Sequence, residues 1–349
     1  MGQSINIGSR KIGKNQPCFI IAEAGVNHNG NPQTAKKMID CAVKAGADAV
    51  KFQSFKADAL VTKDAKKAKY QERCIGSNTQ YEMLKKLELR DQDLKKLANY
   101  AVDQGVIFLS TPFDKGSVDL LEKINVPAYK ISSGELTNHP LLTYIASKKK
   151  PIILSTGMST LSEIGEALSV IKESSNSKIA ILHCTTDYPA LFEEINLNAI
   201  ITLQCAFKKP TGFSDHTPGI IASVAAVALG ACIIEKHFTL NKEQTGPDHK
   251  ASLDPKELTD LVGSIRNIEL AMGDGIKEPS ANEKEIMAVA RKSIVAKKNI
   301  THGTILDESM VDFKRPGTGL EPKFLSKILG KRIKRDIKKD EMLSWEFFA

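Results

Sequence analysis

The sequence predicts an α/β protein, a (β/α)8 barrel followed by a small β-rich domain. Three observations carry that reading. A short apolar run with a polar or glycine-rich ending recurs eight times, helical segments separate the runs, and the alternation stops near Gly275. Eight such units over about 270 residues match a barrel whose catalytic groups stand at the C-terminal ends of its strands. An open doubly wound sheet fits less well. No G-x-G-x-x-G follows the first run, and GVNHNGN, which has the glycine spacing of a phosphate loop, lacks the Lys-Ser/Thr that would make it one.

In chain order the runs are CFIIAEAG, ADAVKFQS, VIFLSTPF, PAYKISSGE, PIILSTGM, KIAILHCTTDYP, TGFSDHT and CIIEKHFT. Each is short and bounded by turn formers, as buried strands are. Between them lie helical stretches such as NPQTAKKMIDCAVKAG, RDQDLKKLANYAVDQG, LSEIGEALSVIKESS and DPKELTDLVGSIRNIELAMG, several opening on a capping Asn, Asp or Ser and closing on Gly. The barrel is placed at 1–275 and a polar linker containing EPSANEKE at 276–290. The second domain, 291–349, reads as short strands and turns. Within it AKKNITHGTIL (296–306) aligns with IKRDIKKDEML (333–343), a faint duplication of one turn-centred unit.

Composition narrows the function. With 349 residues, 42% hydrophobic and 26% charged, the chain is ordinary for a soluble protein, and no stretch approaches the roughly 20 apolar residues of a membrane span. MGQSINIGSRKIG carries no signal-peptide core, and Asn6 stands where N-myristoylation takes Ser or Thr. Cys18, Cys41, Cys74, Cys184, Cys205 and Cys232 form no C-x-x-C, which suits buried free thiols in the cytoplasm. The net charge of +8 is spread along the chain, and its densest run, KRIKRDIKKDE, is broken by acids. That pattern describes a solvated face, so neither nucleic acid nor membrane is expected as a partner.

The strand ends place Glu23, Lys51, Gln53, Lys130, Ser133, Glu135, Ser155, Thr186, Tyr188, Ser214, His216, Lys236 and His237 around one opening. Three lysines among hydroxyls suit a phosphorylated, carboxylated anion. His216 and His237 end neighbouring strands and are the candidate metal ligands. Two imidazoles without cysteine fit Mn²⁺ or another octahedral divalent ion, with Mg²⁺ and Co²⁺ as alternatives, better than a closed zinc site. His28, His139, His183, His249 and His302 take no such role. A rival reading makes a desolvated Lys130 or Lys236 a Schiff-base nucleophile.

The ordered motifs IAEAGVNHNG, KFQSF, STPFD, YKISSGE, ILSTGMS, LHCTTDYP, GFSDHT, EKHFT, GPDHKASL and KRPGTG resemble those of the sialic acid synthases, from about Cys18 to the C-terminus. These enzymes condense phosphoenolpyruvate with the open-chain aldehyde of an N-acylated mannose-type sugar and release phosphate by C–O cleavage. The resemblance implies that His216 and His237 hold Mn²⁺ and that Lys51, Lys130, Ser133, Ser155 and Ser214 hold phosphoenolpyruvate. Glu23, Gln53, Tyr188 and Asp248 then contact the sugar or metal-bound water, and Glu23 or Glu135 moves the proton. The C-terminal domain is similar to the family's antifreeze-like (SAF) module, with Arg315 reaching the partner's barrel in a domain-swapped homodimer. The expected product is N-acetylneuraminate, formed from N-acetylmannosamine.

One departure concerns the acceptor. Bacterial N-acetylneuraminate synthases often carry Asn in the sixth-strand motif, where this chain has Thr186, still a donor for phosphate. The Thr form is associated with legionaminate synthases, which use a 2,4-diacetamido-trideoxy sugar. Schiff-base aldolase and noncatalytic sugar or nucleic-acid binder remain as rival classes.

Overall fold

The eight apolar runs become eight parallel strands. In the computed structural model, which describes residues 4–67 and 79–349, a hairpin of β1 (Ile5–Ile7) and β2 (Arg10–Ile12) precedes them. The barrel strands are β3 (Phe19–Gly25), β4 (Ala49–Ser54), β5 (Ile107–Pro112), β6 (Tyr129–Ile131), β7 (Ile152–Ser155), β8 (Ile179–Cys184), β9 (Thr211–Asp215) and β10 (Ile233–His237). The ladder runs β5-β4-β3-β10-β9-β8-β7-β6, and β5 and β6 face each other across the remaining seam. This is a nearly closed (β/α)8 barrel.

The helices start and stop where the side chains dictate. Asn31 accepts from the amides of Gln33 and Thr34 at the head of the Pro32–Ala45 helix, and Gly46 ends it at φ 81°, a conformation that glycine adopts without a Cβ clash. Reciprocal Thr160/Glu163 and Asp254/Glu257 capping boxes open the Leu161–Glu173 and Pro255–Met272 helices.

Strand alternation divides the core in two. Ile20, Ala22, Val50, Phe52, Phe108, Ile152 and Leu154 face the helices, whereas Phe19, Ile21, Ala49, Leu109, Ile153, Ala180 and Ile233 fill the barrel. Ile5, Ile7 and Ile12 join the inner set, so the N-terminal hairpin plugs the end of the barrel opposite the strand C-termini. Asp48 ties this end together: it accepts from the Ile20 amide at 2.9 Å and pairs with Arg10 at 2.9 Å and Arg266 at 3.0 Å.

The chain divides into two compact units, 1–273 and 274–349. Part of the segment expected to be a linker, Ala281–Ala290, is a helix, opened by a Ser280/Glu283 capping box. The second unit pairs β11 (Ser293–Ala296) with β12 (Val311–Lys314) antiparallel, over a core that includes Ile294, Leu306, Val311, Ile333 and Leu343. The duplication has a structural counterpart. Ile300 and Ile337, equivalent in the two halves, exchange paired backbone hydrogen bonds at 2.9 and 2.8 Å.

Among the described cysteines, all free, Cys18, Cys184 and Cys232 are buried and Cys41 is half-buried. Cys205 corrects the expectation of burial: it is exposed on the Ala199–Phe207 helix. Cys74 lies outside the described residues.

Gly212 sits inside the barrel on β9 where there is no room for a side chain. A Cβ there would stand 2.4 Å from the Ile233 carbonyl oxygen and 2.7 Å from Leu182 Cδ2. Gly212→Ala is expected to destabilise the barrel by about 1–3 kcal/mol, read as a lower urea midpoint, because backbone cannot yield as a side-chain tip can.

Candidate active site

Alternation also decides what enters the barrel mouth. On β10, Ile233 packs inside the barrel and Ile234 against the helices, so Glu235 and His237 point inward and Lys236 outward. Lys236 lies wholly buried behind the sheet, 2.9 Å from Asp215. The expectation that Lys236 joins the mouth is therefore corrected, and with it the Lys236 form of the Schiff-base reading: adjacent residues of one strand cannot share a face.

Glu235, which the sequence reading missed, takes the central place. Its Oε1 lies 3.1 Å from Lys130 Nζ and accepts from Ser214 Oγ at 2.9 Å, and its Oε2 lies 3.7 Å from Lys51 Nζ. Lys51 Nζ in turn is 2.6 Å from Glu23 Oε2 and donates to Thr111 Oγ1 at 3.0 Å. Two acids and two bases, none more than 4% exposed in its side chain, thus form a charge-balanced quartet on the cavity floor. Burial pushes the Glu23 carboxyl up to about 7 against the pull of Lys51. Burial acts the same way on Glu235, but Lys130, Lys51 and the Ser214 hydroxyl outweigh it and hold that carboxyl at about 2. Burial lowers Lys130, whereas on Lys51 the flanking Glu23 and Glu235 overcome burial and raise it.

On one side of the floor is a cradle of hydroxyls. Ser133 Oγ accepts from the Gly157 amide at 2.9 Å, while the buried Ser155 Oγ and Thr186 Oγ1 have no hydrogen-bond partner. Gly157 keeps the cradle open, since a Cβ there would lie 2.2 Å from Thr186 Oγ1 and 2.8 Å from Ser133 Oγ. Hydroxyls so placed can donate to an acceptor-rich ligand.

The histidines stand on another side. His216 Nδ1 donates to the Thr185 carbonyl at 2.7 Å, which leaves the lone pair on Nε2. His237 Nδ1 is buried without a hydrogen-bond partner, 3.8 Å from Asp248 Oδ2, and burial holds this imidazole well below its ordinary pKa and hence neutral. The two ring centroids are 5.5 Å apart, and the Tyr188 ring lies 4.0 Å from that of His216. Among the described residues no group of three His, Cys, Asp or Glu side chains is arranged around one point. The donor set is thus two imidazoles with an acid beside one of them, which fits an open divalent site completed by water or substrate.

These groups line one cavity of about 360 Å³ at the strand C-termini. Of the expected residues, Glu23, Lys51, Gln53, Lys130, Ser133, Ser155, Thr186, Tyr188, Ser214, His216, His237 and Asp248 all face it. Glu135 does not. The Ser133–Glu135 turn presents Ser133 and Gly134 to the cavity and carries Glu135 away, to accept from Asn138 Nδ2 at 2.7 Å. Arg315 is exposed on the second unit, just beyond β12. Besides Glu235, sequence reasoning missed Thr111 and Cys184, both recoverable by counting in twos from Leu109 and Leu182. It also missed an apolar wall of Val26, Met83, Leu84, Leu87 and Phe113, built largely from the Gln80–Leu87 helix.

Residues 38–277 match the NeuB family and residues 291–349 the SAF domain. The N,N'-diacetyllegionaminic acid synthase of Campylobacter jejuni is 51% identical over 328 residues, covering 93% of this chain and 98% of that protein. The protein of the same name from Legionella pneumophila is 46% identical over 352 positions, covering 99% of each. Among solved structures, the N-acetylneuraminic acid synthetase of Leptospira borgpetersenii, in complex with citrate, superposes with a TM-score of 0.72 at 37% identity, over 82% of this chain and 96% of that one. With relatives this similar along nearly their whole length and a family match over most of the barrel, the chain belongs to the NeuB family, as a nonulosonic acid synthase with a SAF domain at its C-terminal end.

Proposed function

We propose that this enzyme condenses phosphoenolpyruvate with the open-chain aldehyde of an N-acylated mannose-type sugar, giving a nonulosonic acid and phosphate. The observation that carries the reading is the hydroxyl cradle, in which Ser155 and Thr186 lack hydrogen-bond partners, beside two buried lysines. Ser133, Ser155 and Thr186 suit the phosphate, and Lys51 and Lys130 suit the anion's charge. A Schiff-base lyase needs neither the cradle nor the histidine pair.

C3 of phosphoenolpyruvate attacks the sugar aldehyde, water adds at C2, and the C2–O bond breaks to release phosphate. Gln53, Tyr188 and Asp248 orient the sugar. Glu23, the inward carboxyl that burial raises towards neutrality, accepts the proton of the adding water, in preference to Glu135, which faces elsewhere. A divalent cation held by His216 and His237, Mn²⁺ first among the candidates, would polarise the aldehyde oxygen when bound. The free thiols described above accord with a reducing compartment, the cytoplasm.

For the acceptor, the apolar wall of Met83, Leu84, Leu87 and Phe113 suits a C6 methyl better than a C6 hydroxyl. The names and identities of the two synthases described above support the same choice, so 2,4-diacetamido-2,4,6-trideoxymannose is the proposed acceptor and N,N'-diacetyllegionaminate the product. N-acetylmannosamine, giving N-acetylneuraminate, is the competing reading. Phosphate release with Mn²⁺ is expected to favour the trideoxy sugar by about 10²-fold in kcat/KM, and to cease with EDTA. Faster turnover of N-acetylmannosamine would reverse the choice, and EDTA-resistant release would remove the metal.

Arg315 is assigned to the acceptor's N-acyl group in a partner subunit's barrel, within a homodimer that exchanges SAF domains. A guanidinium suits an acyl oxygen, and Arg315 is exposed and its guanidinium is not engaged by any ion pair among the described residues. Mixing inactive Arg315→Ala with inactive Glu23→Gln protein should then restore up to about a quarter of wild-type activity, because each hybrid dimer regains one intact site. No recovery after subunit exchange would count against the shared site.

A further inference from the structure

The strand ends that carry His216 and His237 are tied together behind the sheet by a network the mechanism above does not use. Asp215 on β9 and Lys236 on β10 are register partners, both with 0% side-chain exposure, and their charges lie 2.9 Å apart. Asp215 Oδ1 accepts from the amide and the hydroxyl of Thr217, each at 2.8 Å, and Oδ2 accepts from Ser223 Oγ at 2.6 Å. Lys236 Nζ donates to the Thr217 carbonyl as well. The backbone is therefore pinned on both sides of His216. One rung back, on the inner face, Ser214 and Glu235 bond across the same two strands.

Such a network is a poor choice for stability alone. Two charges wholly removed from water break even at best against well-packed apolar residues of the same volume. What an ion pair adds is geometry: it holds one register and one separation. Two imidazoles on separate strands can bind one cation only while their nitrogens stay within a few tenths of an ångström of the required distances. Neither Asp215 nor Lys236 faces the cavity, so any effect they have on it passes through the cavity-lining residues beside them, the Ser214–Glu235 pair and the two histidines at the strand ends.

We propose that Asp215 and Lys236 are positioning residues whose buried ion pair fixes the two imidazoles relative to each other and thereby sets the protein's affinity for its divalent cation. The inference rests on the metal reading of His216 and His237, and its test separates the two. Mn²⁺ binding to the otherwise metal-free full chain is measured by electron paramagnetic resonance for the wild type, for Asp215→Asn/Lys236→Met, which removes both charges together, and for Ser223→Ala, which deletes one hydrogen bond to Asp215. Phosphoenolpyruvate binding in EDTA and thermal unfolding are measured on the same samples. The double variant is expected to bind Mn²⁺ about 10- to 100-fold more weakly, with phosphoenolpyruvate affinity unchanged, and Ser223→Ala to shift in the same direction by less. A folded double variant with wild-type Mn²⁺ affinity overturns the positioning role and leaves the metal reading intact. If the double variant does not fold, Ser223→Ala decides: wild-type Mn²⁺ affinity there overturns the proposal. Wild-type protein that binds no Mn²⁺ removes the metal reading and this inference with it.

Discussion

The quartet of Glu23, Lys51, Glu235 and Lys130 is the constraint around which the barrel mouth is organised. These four side chains stand one layer above the apolar filling of the barrel, where the interior changes from Phe19, Ile21, Ala49 and Ile233 to charge. Leaving any one of them without its partner would strand a buried ion at a cost of about 3–5 kcal/mol. The four strands that supply them, β3, β4, β6 and β10, are thereby held in phase. The Thr111 and Ser214 hydroxyls extend the network to β5 and β9, so six of the eight strands meet in one connected polar layer.

That layer separates the apolar packing below from the ligand-facing groups above. The hydroxyl cradle on the β6, β7 and β8 ends and the imidazoles on the β9 and β10 ends stand on different sides of the same floor, with Lys130 and Glu235 bridging between them. An anion in the cradle and an aldehyde near the histidines would thus be brought together by strands whose relative positions are already fixed. Holding reactants this way accounts for much of what an enzyme contributes when two substrates must join.

Much of this was legible in the sequence because a barrel turns strand ends into neighbours. Eight apolar runs with polar endings sufficed to collect Lys51, Lys130, Ser155, His216 and His237 at one opening. What was misread follows from phase. The two-residue period of a strand sets Lys236 and His237 on opposite faces and brings Glu235 inward, and Ile233 fixes the phase of all three. Glu135 was misplaced because β6 ends in a tight turn, and beyond a strand's last ladder residue the period no longer applies. The apolar wall was visible only as a helix face at Met83, Leu84 and Leu87, a pattern shared by every core-facing helix. No local signal tells which way such a face will turn.

The two faces of β9 and β10 have separate tasks, and the difference follows from chemistry. Inward, Ser214, Glu235 and the histidines line the cavity, and their polar atoms are incompletely satisfied: Glu235 Oε2 and His237 Nδ1 lack hydrogen-bond partners. Outward, Asp215 makes three hydrogen bonds besides its ion pair, and Lys236 binds both a carboxylate and a carbonyl. Unsatisfied polar groups are costly in a buried site and tend to collapse onto one another. A saturated network immediately behind them, one residue out of phase, opposes that collapse, since closing the cavity would require the strand ends to move and so break bonds that have no water to replace them.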